Sequence, residues 1–178
     1  MSKPAQPQPL REVAHPSSGA PIRLLFVCLG NICRSPAAEG VFLHQIAASH
    51  LTDRFVVDSA GIGGWHVGQP ADPRMRAAAE RRGISLPSRA RQLEAGDLRR
   101  FDRILTMDAE NLAAVRRLER MHGGSAVLEP MTRYCRRFQV DDVPDPYYGG
   151  ADGFEHVLDL LDDACAGLLE SLNGAQPH

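Results

Sequence analysis

Four short apolar runs are separated by longer segments in which apolar residues recur at helical spacing. The first run, IRLLFVC at 22–28, is apolar enough for a central strand covered on both faces. The other three are RFVVDSAG at 54–61, FDRILTM at 101–107 and AVLEP at 126–130. Strands that alternate with helices indicate βαβ units around a parallel sheet. The pattern therefore predicts an α/β fold.

Capping signals indicate where the helices begin and end. Ser35 and Pro36 start a helix after the first strand, because Pro is favoured in the first helical turn. Asp72 is suited to cap a second helix that closes on Gly83, and 108–124 forms a third. In the last helix the apolar residues fall on one stripe: Phe154, Val157, Leu158, Leu161, Cys165, Leu168 and Leu172. That stripe predicts a helix packed on the core, with Cys165 as a packing residue.

The predicted elements form one domain over residues 22–172. A chain of 178 residues that is 43% hydrophobic can bury one sizeable core. Residues 1–21 are rich in Pro, Gln and Ser, which predicts a flexible N-terminal tail. Residues 173–178 are expected to form a short C-terminal tail.

Charge and hydropathy exclude several partners and locations. A formal net charge of -2 leaves no broad basic surface, which argues against nucleic acid. The longest apolar run is too short to span a bilayer and contains Arg23, so we expect no membrane partner. The first residues lack the apolar segment of a secretory signal, which favours the reducing cytoplasm for a chain with four cysteines. We expect a monomer or weak self-association.

The end of the first predicted strand carries the sequence VCLGNICRSP, in which five residues separate Cys28 from Arg34. The N–H groups of such a loop can point inward, and the following helix adds positive potential, so a tetrahedral dianion is its natural occupant. Arg34 can bind two phosphate oxygens at once, and the same field stabilises a thiolate on Cys28. The alternative is that both cysteines pack as small apolar residues. The position favours a ligand site, since open parallel sheets bind ligands at the carboxyl ends of their strands.

Together with DPYYGG at 145–150, this motif resembles the low-molecular-weight protein tyrosine phosphatases. DSAG at 58–61, ARQL at 90–93 and MDAENL at 107–112 follow in the expected order, and the resemblance covers residues 22 to about 172. It implies a flavodoxin-like three-layer α/β fold with a four-stranded parallel sheet. It also implies that the substrates are tyrosine-phosphorylated proteins, whose phosphotyrosine is hydrolysed through a cysteinyl-phosphate on Cys28, without a metal or other cofactor.

The resemblance assigns further residues to this site. Asp145 would be the general acid, with Pro144 and Pro146 restricting the backbone that aims it. Tyr147 and Tyr148 would form an aromatic wall for the substrate ring. The remaining substrate-binding positions would be Leu29, Gly30, Asn31, Ile32, Cys33, Ser35 and Trp65. For Trp65, packing in the core is the alternative.

Supporting positions follow from the same resemblance. Asn31 and Ser35 would orient the loop and support the thiolate, and Ser59 would add a hydroxyl group. Asp108 would anchor Arg34, although it is equally suited to cap the third predicted helix. Ser88 stands where the family often has a histidine, so we expect the support of Asn31 to be arranged differently in this chain.

Other functions fit parts of the pattern less well. An arsenate reductase on this scaffold needs additional cysteines near the middle of the chain, and none lies between Cys33 and Cys135. Arginine phosphatases of this type tend to carry Thr where Ile32 stands, and they lack the paired tyrosines. A module that only binds phosphoproteins would not need a nucleophile, an arginine and an acid together.

Cys33 receives a second role from the resemblance. Peroxide would oxidise Cys28, and Cys33 would then form a disulfide with it that protects the site from irreversible oxidation. The alternative is that Cys33 packs beneath the loop as a small apolar residue.

Overall fold

A computed structural model describes residues 19–174, so most of the two predicted tails, residues 1–18 and 175–178, lies outside the described residues. Four strands form one sheet in the order β2-β1-β3-β4, and all neighbouring pairs are parallel. The α/β fold with a four-stranded parallel sheet is therefore confirmed.

The strands agree closely with the predicted runs, except the third. They are β1 (Ile22–Cys28), β2 (Phe55–Gly61), β3 (Arg103–Thr106) and β4 (Val127–Pro130). β3 is shorter than predicted because Phe101 instead ends a helical turn. Asp102 and Met107, on either side of β3, still donate single backbone hydrogen bonds to Arg23 and Val27 of β1. In the sheet Cys28 lies opposite Gly61, and Val27 lies opposite Thr106. The carboxyl ends of three strands thus meet at the edge that carries the motif.

In the described part of the chain, five α-helices connect and follow the strands: α1 (Arg34–Ala48), α2 (Pro73–Glu80), α3 (Asp97–Arg100), α4 (Ala109–His122) and α5 (Ala151–Asn173). Asp72 caps α2 by accepting from the N–H of Arg74, as predicted. α2 ends at Glu80, before Gly83, which has a left-handed backbone with φ of 75°. The single turn α3 was not predicted. No helix within residues 19–174 is long and apolar enough to cross a membrane.

The two faces of the sheet pack against different helices. Leu24 and Phe26 of β1 join a core formed with α1, α2 and α5, whereas Leu25 and Val27 point to the opposite face, which α3 and α4 cover. Side chains alternate in this way because successive residues of a strand face opposite sides. The predicted stripe of α5 is buried, and Cys165 is fully enclosed as a packing residue. The result is the predicted three-layer arrangement.

α5 also holds the segment that precedes the DPYYGG loop. One carboxylate oxygen of Asp163 accepts the backbone N–H groups of Arg136, Arg137 and Phe138 at 2.9, 2.9 and 3.2 Å. Gly167 lies against the carbonyl oxygen of Tyr134, which would stand 2.0 Å from a Cβ atom placed on that glycine. A polar anchor and a close backbone approach thus fix this segment on α5.

Candidate active site

The loop between β1 and α1 has its backbone held from outside. Its carbonyl groups at Cys28, Leu29 and Ile32 accept the N–H groups of residues 62, 63 and 72 at 2.8 to 2.9 Å. Within residues 19–174, the N–H groups of residues 29–33 donate to no backbone carbonyl. Donors that lie at a helix N-terminus without an internal acceptor suit an anion.

The turn of this loop depends on Asn31 and Gly61. Asn31 has a left-handed backbone with φ of 57°, a conformation that Asn tolerates better than most residues with a Cβ. A Cβ on Gly61 would stand 3.0 Å from the backbone nitrogen of Asn31. Gly61, at the end of β2, therefore lets the neighbouring loop approach the sheet closely.

Behind the loop, a chain of hydrogen bonds leads away from Cys28. The Sγ of Cys28 lies 3.0 Å from the hydroxyl of Ser35, and the amide of Asn31 donates to Ser35 and to Ser59 at 2.8 and 3.0 Å. Ser59 donates in turn to Glu39 at 2.9 Å. Since the oxygen of Ser35 accepts from Asn31, its own proton has two acceptors in reach, the sulfur of Cys28 at 3.0 Å and the carbonyl of Ala60 at 3.5 Å. The structure therefore brings Asn31, Ser35 and Ser59 together.

Glu39 is the last member of this series of hydrogen bonds, and it was not among the predicted site residues. Its side chain is buried, and burial raises the pKa of its carboxyl group, while hydrogen bonds from Ser88 and Ser59 act in the opposite direction. Ser88 thus lies near Glu39. A sequence signal existed, because Glu39 is a lone acid in an apolar stretch and lies four residues after Ser35, on the same helical face.

Arg34 is almost fully buried and is held by three groups. One guanidinium nitrogen donates to Asp108 at 2.6 Å and to the carbonyl of Val143 at 3.1 Å. The other terminal nitrogen lies 3.6 Å from a carboxylate oxygen of Asp145. Asp108 also accepts the N–H of Asn111 and caps α4, so its carboxylate contacts Arg34 and the helix end at once.

These groups surround one cavity of about 410 Å³. Its lining residues are Cys28, Leu29, Gly30, Ile32, Cys33, Arg34, Trp65, His66, Asp145, Tyr147 and Tyr148. Asn31 and Ser35, predicted among the substrate-binding residues, do not line it, because their side chains bond to each other behind the loop. His66 was not among the predicted site residues, although it follows Trp65 directly.

The outer wall of the cavity is aromatic and open to solvent. The rings of Tyr147 and Tyr148 meet edge to face with centroids 4.9 Å apart. Trp65 is 69% exposed, which excludes the alternative of core packing. The N–H of Tyr147 donates to the carboxylate of Asp145 at 3.1 Å, so this acid and the aromatic wall belong to one local turn.

Cys33 lines the cavity beside Cys28 but differs from it in environment. Burial raises the pKa of the Cys33 thiol to about 12, with further contributions from the negative charges of Asp72, Cys28 and Asp145. Cys33 is therefore protonated at neutral pH, when it is a poor nucleophile. Both cysteines are free thiols.

Comparison with known proteins identifies the family. The family model for low molecular weight phosphotyrosine protein phosphatase matches residues 23–177. The low molecular weight protein-tyrosine-phosphatase YfkJ of Bacillus subtilis is 43% identical over 152 residues, which cover 85% of this chain and 96% of the relative.

Solved structures show the same similarity. A protein tyrosine phosphatase from Entamoeba histolytica, with Hepes in its active site, matches with a TM-score of 0.81 and 42% identity, covering 86% of this chain and 97% of that one. Drosophila arginine phosphatase matches with a TM-score of 0.82 and 28% identity, covering 87% of this chain and 100% of that one. On the family match over most of its length, this chain belongs to the low molecular weight phosphotyrosine protein phosphatases.

Proposed function

We propose that this enzyme hydrolyses phosphotyrosine in proteins with Cys28 as nucleophile, Arg34 as phosphate ligand and Asp145 as general acid. The observation that carries the proposal is that one cavity brings together the Cys28 sulfur, the Arg34 guanidinium and the Asp145 carboxyl group. Cys28 lies at its base, 3% exposed, while Asp145 lies at its open side with 43% of its side chain exposed. A buried nucleophile and an exposed acid in one cavity suit in-line displacement, with the phosphate bound between them.

The reaction follows in two steps. The thiolate of Cys28 attacks phosphorus, the bond to the tyrosine oxygen breaks, and Asp145 gives its proton to the departing phenol. A water molecule then attacks the cysteinyl-phosphate and gives a proton to Asp145, and the bond between sulfur and phosphorus breaks. Inorganic phosphate leaves, and Cys28 is restored as a thiolate. The N–H groups of residues 29–33 and the fork of Arg34 stabilise the charge on the phosphoryl oxygens.

Phosphotyrosine is favoured over phosphoarginine by the walls of the cavity. Ile32 lies in the lining, and Tyr147 and Tyr148 provide an aromatic face for a substrate ring. Arginine phosphatase remains the competing function because the Drosophila enzyme has a similar structure.

The deciding experiment is turnover of a phosphotyrosine peptide and a phosphoarginine peptide side by side, without added metal and with arsenate reduction measured in parallel. We expect efficient hydrolysis of phosphotyrosine alone. Preferential hydrolysis of phosphoarginine would overturn the proposed substrate class, and arsenate reduction would overturn the reaction class. The cytoplasmic location and the monomeric or weakly associating state stay predictions.

A further inference from the structure

Arg74 lies in the first turn of α2 and is tied to the Asp72 that caps this helix. Its Nε and one terminal nitrogen donate to the two carboxylate oxygens of Asp72 at 3.1 and 2.9 Å. The N–H of Asp72 donates to the carbonyl of Ile32 at 2.8 Å. Arg74 is therefore attached through Asp72 to the loop that carries Cys28.

The Arg74 guanidinium also contacts the segment that carries Asp145, through the same terminal nitrogen that bonds to Asp72. A terminal nitrogen donates to the carbonyl oxygen of Tyr147 at 3.0 Å, and the guanidinium carbon lies 5.5 Å from the centre of the Tyr147 ring. The same carbon lies 4.7 Å from the ring centre of Phe154, in the first turn of α5. Arg74 thus connects α2, the Asp145 segment and α5.

Few other polar contacts hold this segment. The N–H of Tyr147 bonds to Asp145, and the N–H of Gly149 bonds to Pro146, so both hydrogen bonds are internal. The ion pair between Asp145 and Arg34 is long, at 3.6 Å. Within residues 19–174, the bond from Arg74 is the only hydrogen bond that joins residues 145–150 to another element, apart from the bond of Gly153 to the carbonyl of Gly150, where α5 begins.

We propose that Arg74 is a positioning residue that holds the Asp145 segment at a fixed distance from the Cys28 loop. The inference rests on the proposed role of Asp145 as general acid. Proton transfer requires the carboxyl group within hydrogen-bond reach of the leaving oxygen, and small displacements cost much of the rate. Without Arg74, the segment keeps its internal turn, but the carbonyl of Tyr147 loses its hydrogen bond to the first turn of α2. Asp145 then occupies the productive position for a smaller fraction of the time.

The test is Arg74→Met in the full chain, assayed as kcat/KM on aryl phosphates that differ only in the acidity of the phenol. We expect a loss of roughly tenfold for a poorly acidic phenol, a fraction of the about 10²- to 10⁴-fold that a general acid contributes. For a strongly acidic phenol, which departs without a proton, we expect less than about a twofold loss. Arg74→Lys keeps the cation but not the planar fork, and should show the same pattern.

Arg76→Met is the matched control. Arg76 lies on the same helix and donates to the carbonyl of Ala71, so its loss leaves the Asp145 segment untouched. Its kcat/KM should show no dependence on the leaving group beyond that of the parent. Thermal unfolding of each variant tests whether it is folded. If Arg74→Met does not fold, Arg74→Lys takes its place in the kinetic comparison.

Asp145→Asn in the same series separates the two proposals. If Asp145→Asn shows the leaving-group dependence and both Arg74 variants lose activity uniformly or not at all, the positioning role is overturned and the acid role stands. If Asp145→Asn loses activity uniformly, the acid role itself is overturned. In the double variant Arg74→Met with Asp145→Asn, we expect no loss beyond that of Asp145→Asn with poor leaving groups, and an additional tenfold loss would contradict the inference.

Discussion

The thiol of Cys28 meets the hydroxyl of Ser35 at 3.0 Å, and the loop around it is held by donors from residues 62, 63 and 72. Replacing sulfur by oxygen changes none of these backbone contacts. We therefore expect Cys28→Ser to lose all measurable hydrolysis while it still binds inorganic phosphate. Steady-state turnover and titration calorimetry measure the two properties separately. Turnover by purified Cys28→Ser would remove Cys28 from its role, and loss of phosphate binding would mean that the sulfur shapes the loop.

Glu39 makes the stability of the protein depend on pH. Burial raises the pKa of this carboxyl group in the folded state, with a smaller contribution in the same direction from Asp58. As pH rises above the carboxyl group's unfolded pKa, the unfolded state releases this proton while the folded state still holds it. Folding stability therefore falls until pH has passed the folded pKa.

In Glu39→Gln this titration is absent. We expect the free energy of unfolding of the parent to fall relative to that of Glu39→Gln as pH rises from acidic to neutral, in urea unfolding at several pH values. Asp58→Asn, which removes the nearby charge, should reduce the dependence only slightly. A constant difference between parent and Glu39→Gln across this range would contradict the raised pKa.

Cys33 is expected to protect Cys28 from peroxide. The sulfenic acid of oxidised Cys28 would react with the Cys33 thiol to give a disulfide and water, and a dithiol would restore both cysteines. Because the pKa of Cys33 is raised to about 12, its thiolate fraction grows with pH, so disulfide formation should accelerate from neutral to mildly alkaline solution. Mass spectrometry of peroxide-treated protein measures the linkage.

Cys33→Ser should keep most of its hydrolytic activity but recover poorly after peroxide and dithiol treatment. Cys165→Ser is the control, since Cys165 is fully buried in the core and away from the cavity. A Cys33→Ser variant that recovers as well as the parent would return Cys33 to a packing role.

At the scale of elements, α5 depends on a glycine in its packed face. A Cβ at Gly167 would stand 2.0 Å from the carbonyl oxygen of Tyr134, and a backbone atom cannot move away as a side chain can. We expect Gly167→Ala to destabilise the protein by about 1–3 kcal/mol, the usual cost of overpacking. Gly153→Ala on the same helix is the control, because its nearest neighbour would be 3.6 Å away. It should be neutral or stabilise by up to about 1 kcal/mol.

Chemical denaturation of both glycine variants gives these free energies. If Gly167→Ala is as stable as the parent, the approach of α5 to Tyr134 is looser than the structure indicates.

The elements could be predicted from the sequence where a local pattern determines them. Both bounds of β1 and the cap of α2 at Asp72 were predicted correctly. In both cases the signal, an apolar run or a capping residue followed by proline, lies in adjacent residues of the sequence. α3 could not be predicted. Its buried Asp97 is held by Arg91 from the preceding loop, a pairing that has no periodic signal. The i,i+3 pair of Asp97 with Arg100 lies within the turn itself, and four residues are too few to show a helical period.

In the candidate site, too, residues of a contiguous motif could be predicted, and contacts between distant residues could not. Cys28 and Arg34 lie in one contiguous motif, whereas Arg74 reaches the Asp145 segment across 73 positions of the sequence. Its part in the site depends on how α2 and α5 pack, which no spacing along the chain reveals.

For the whole molecule, the site links the sheet edge to both helical layers, so ligand binding should raise global stability. On the proposed function, phosphate binds the folded loop and has no organised site in the unfolded chain. At about 100 times its Kd it would add about 2.7 kcal/mol. We expect the melting temperature to rise with phosphate but not with sodium chloride of equal ionic strength. Cys28→Ser should show the same rise and Arg34→Lys a smaller one; equal shifts in phosphate and chloride would contradict a specific anion site.

Asp108 satisfies two requirements with one carboxylate, since one oxygen caps α4 and the other binds Arg34. Ser, Thr and Asn cap helices as well as Asp does, but none of them carries a negative charge. Glu carries the charge on a longer side chain that is poorly suited to the cap. Substitutions that are neutral at most helix caps are therefore visible to selection here, through Arg34, the proposed phosphate ligand. A single position thereby ties the evolution of a structural helix to that of the chemistry.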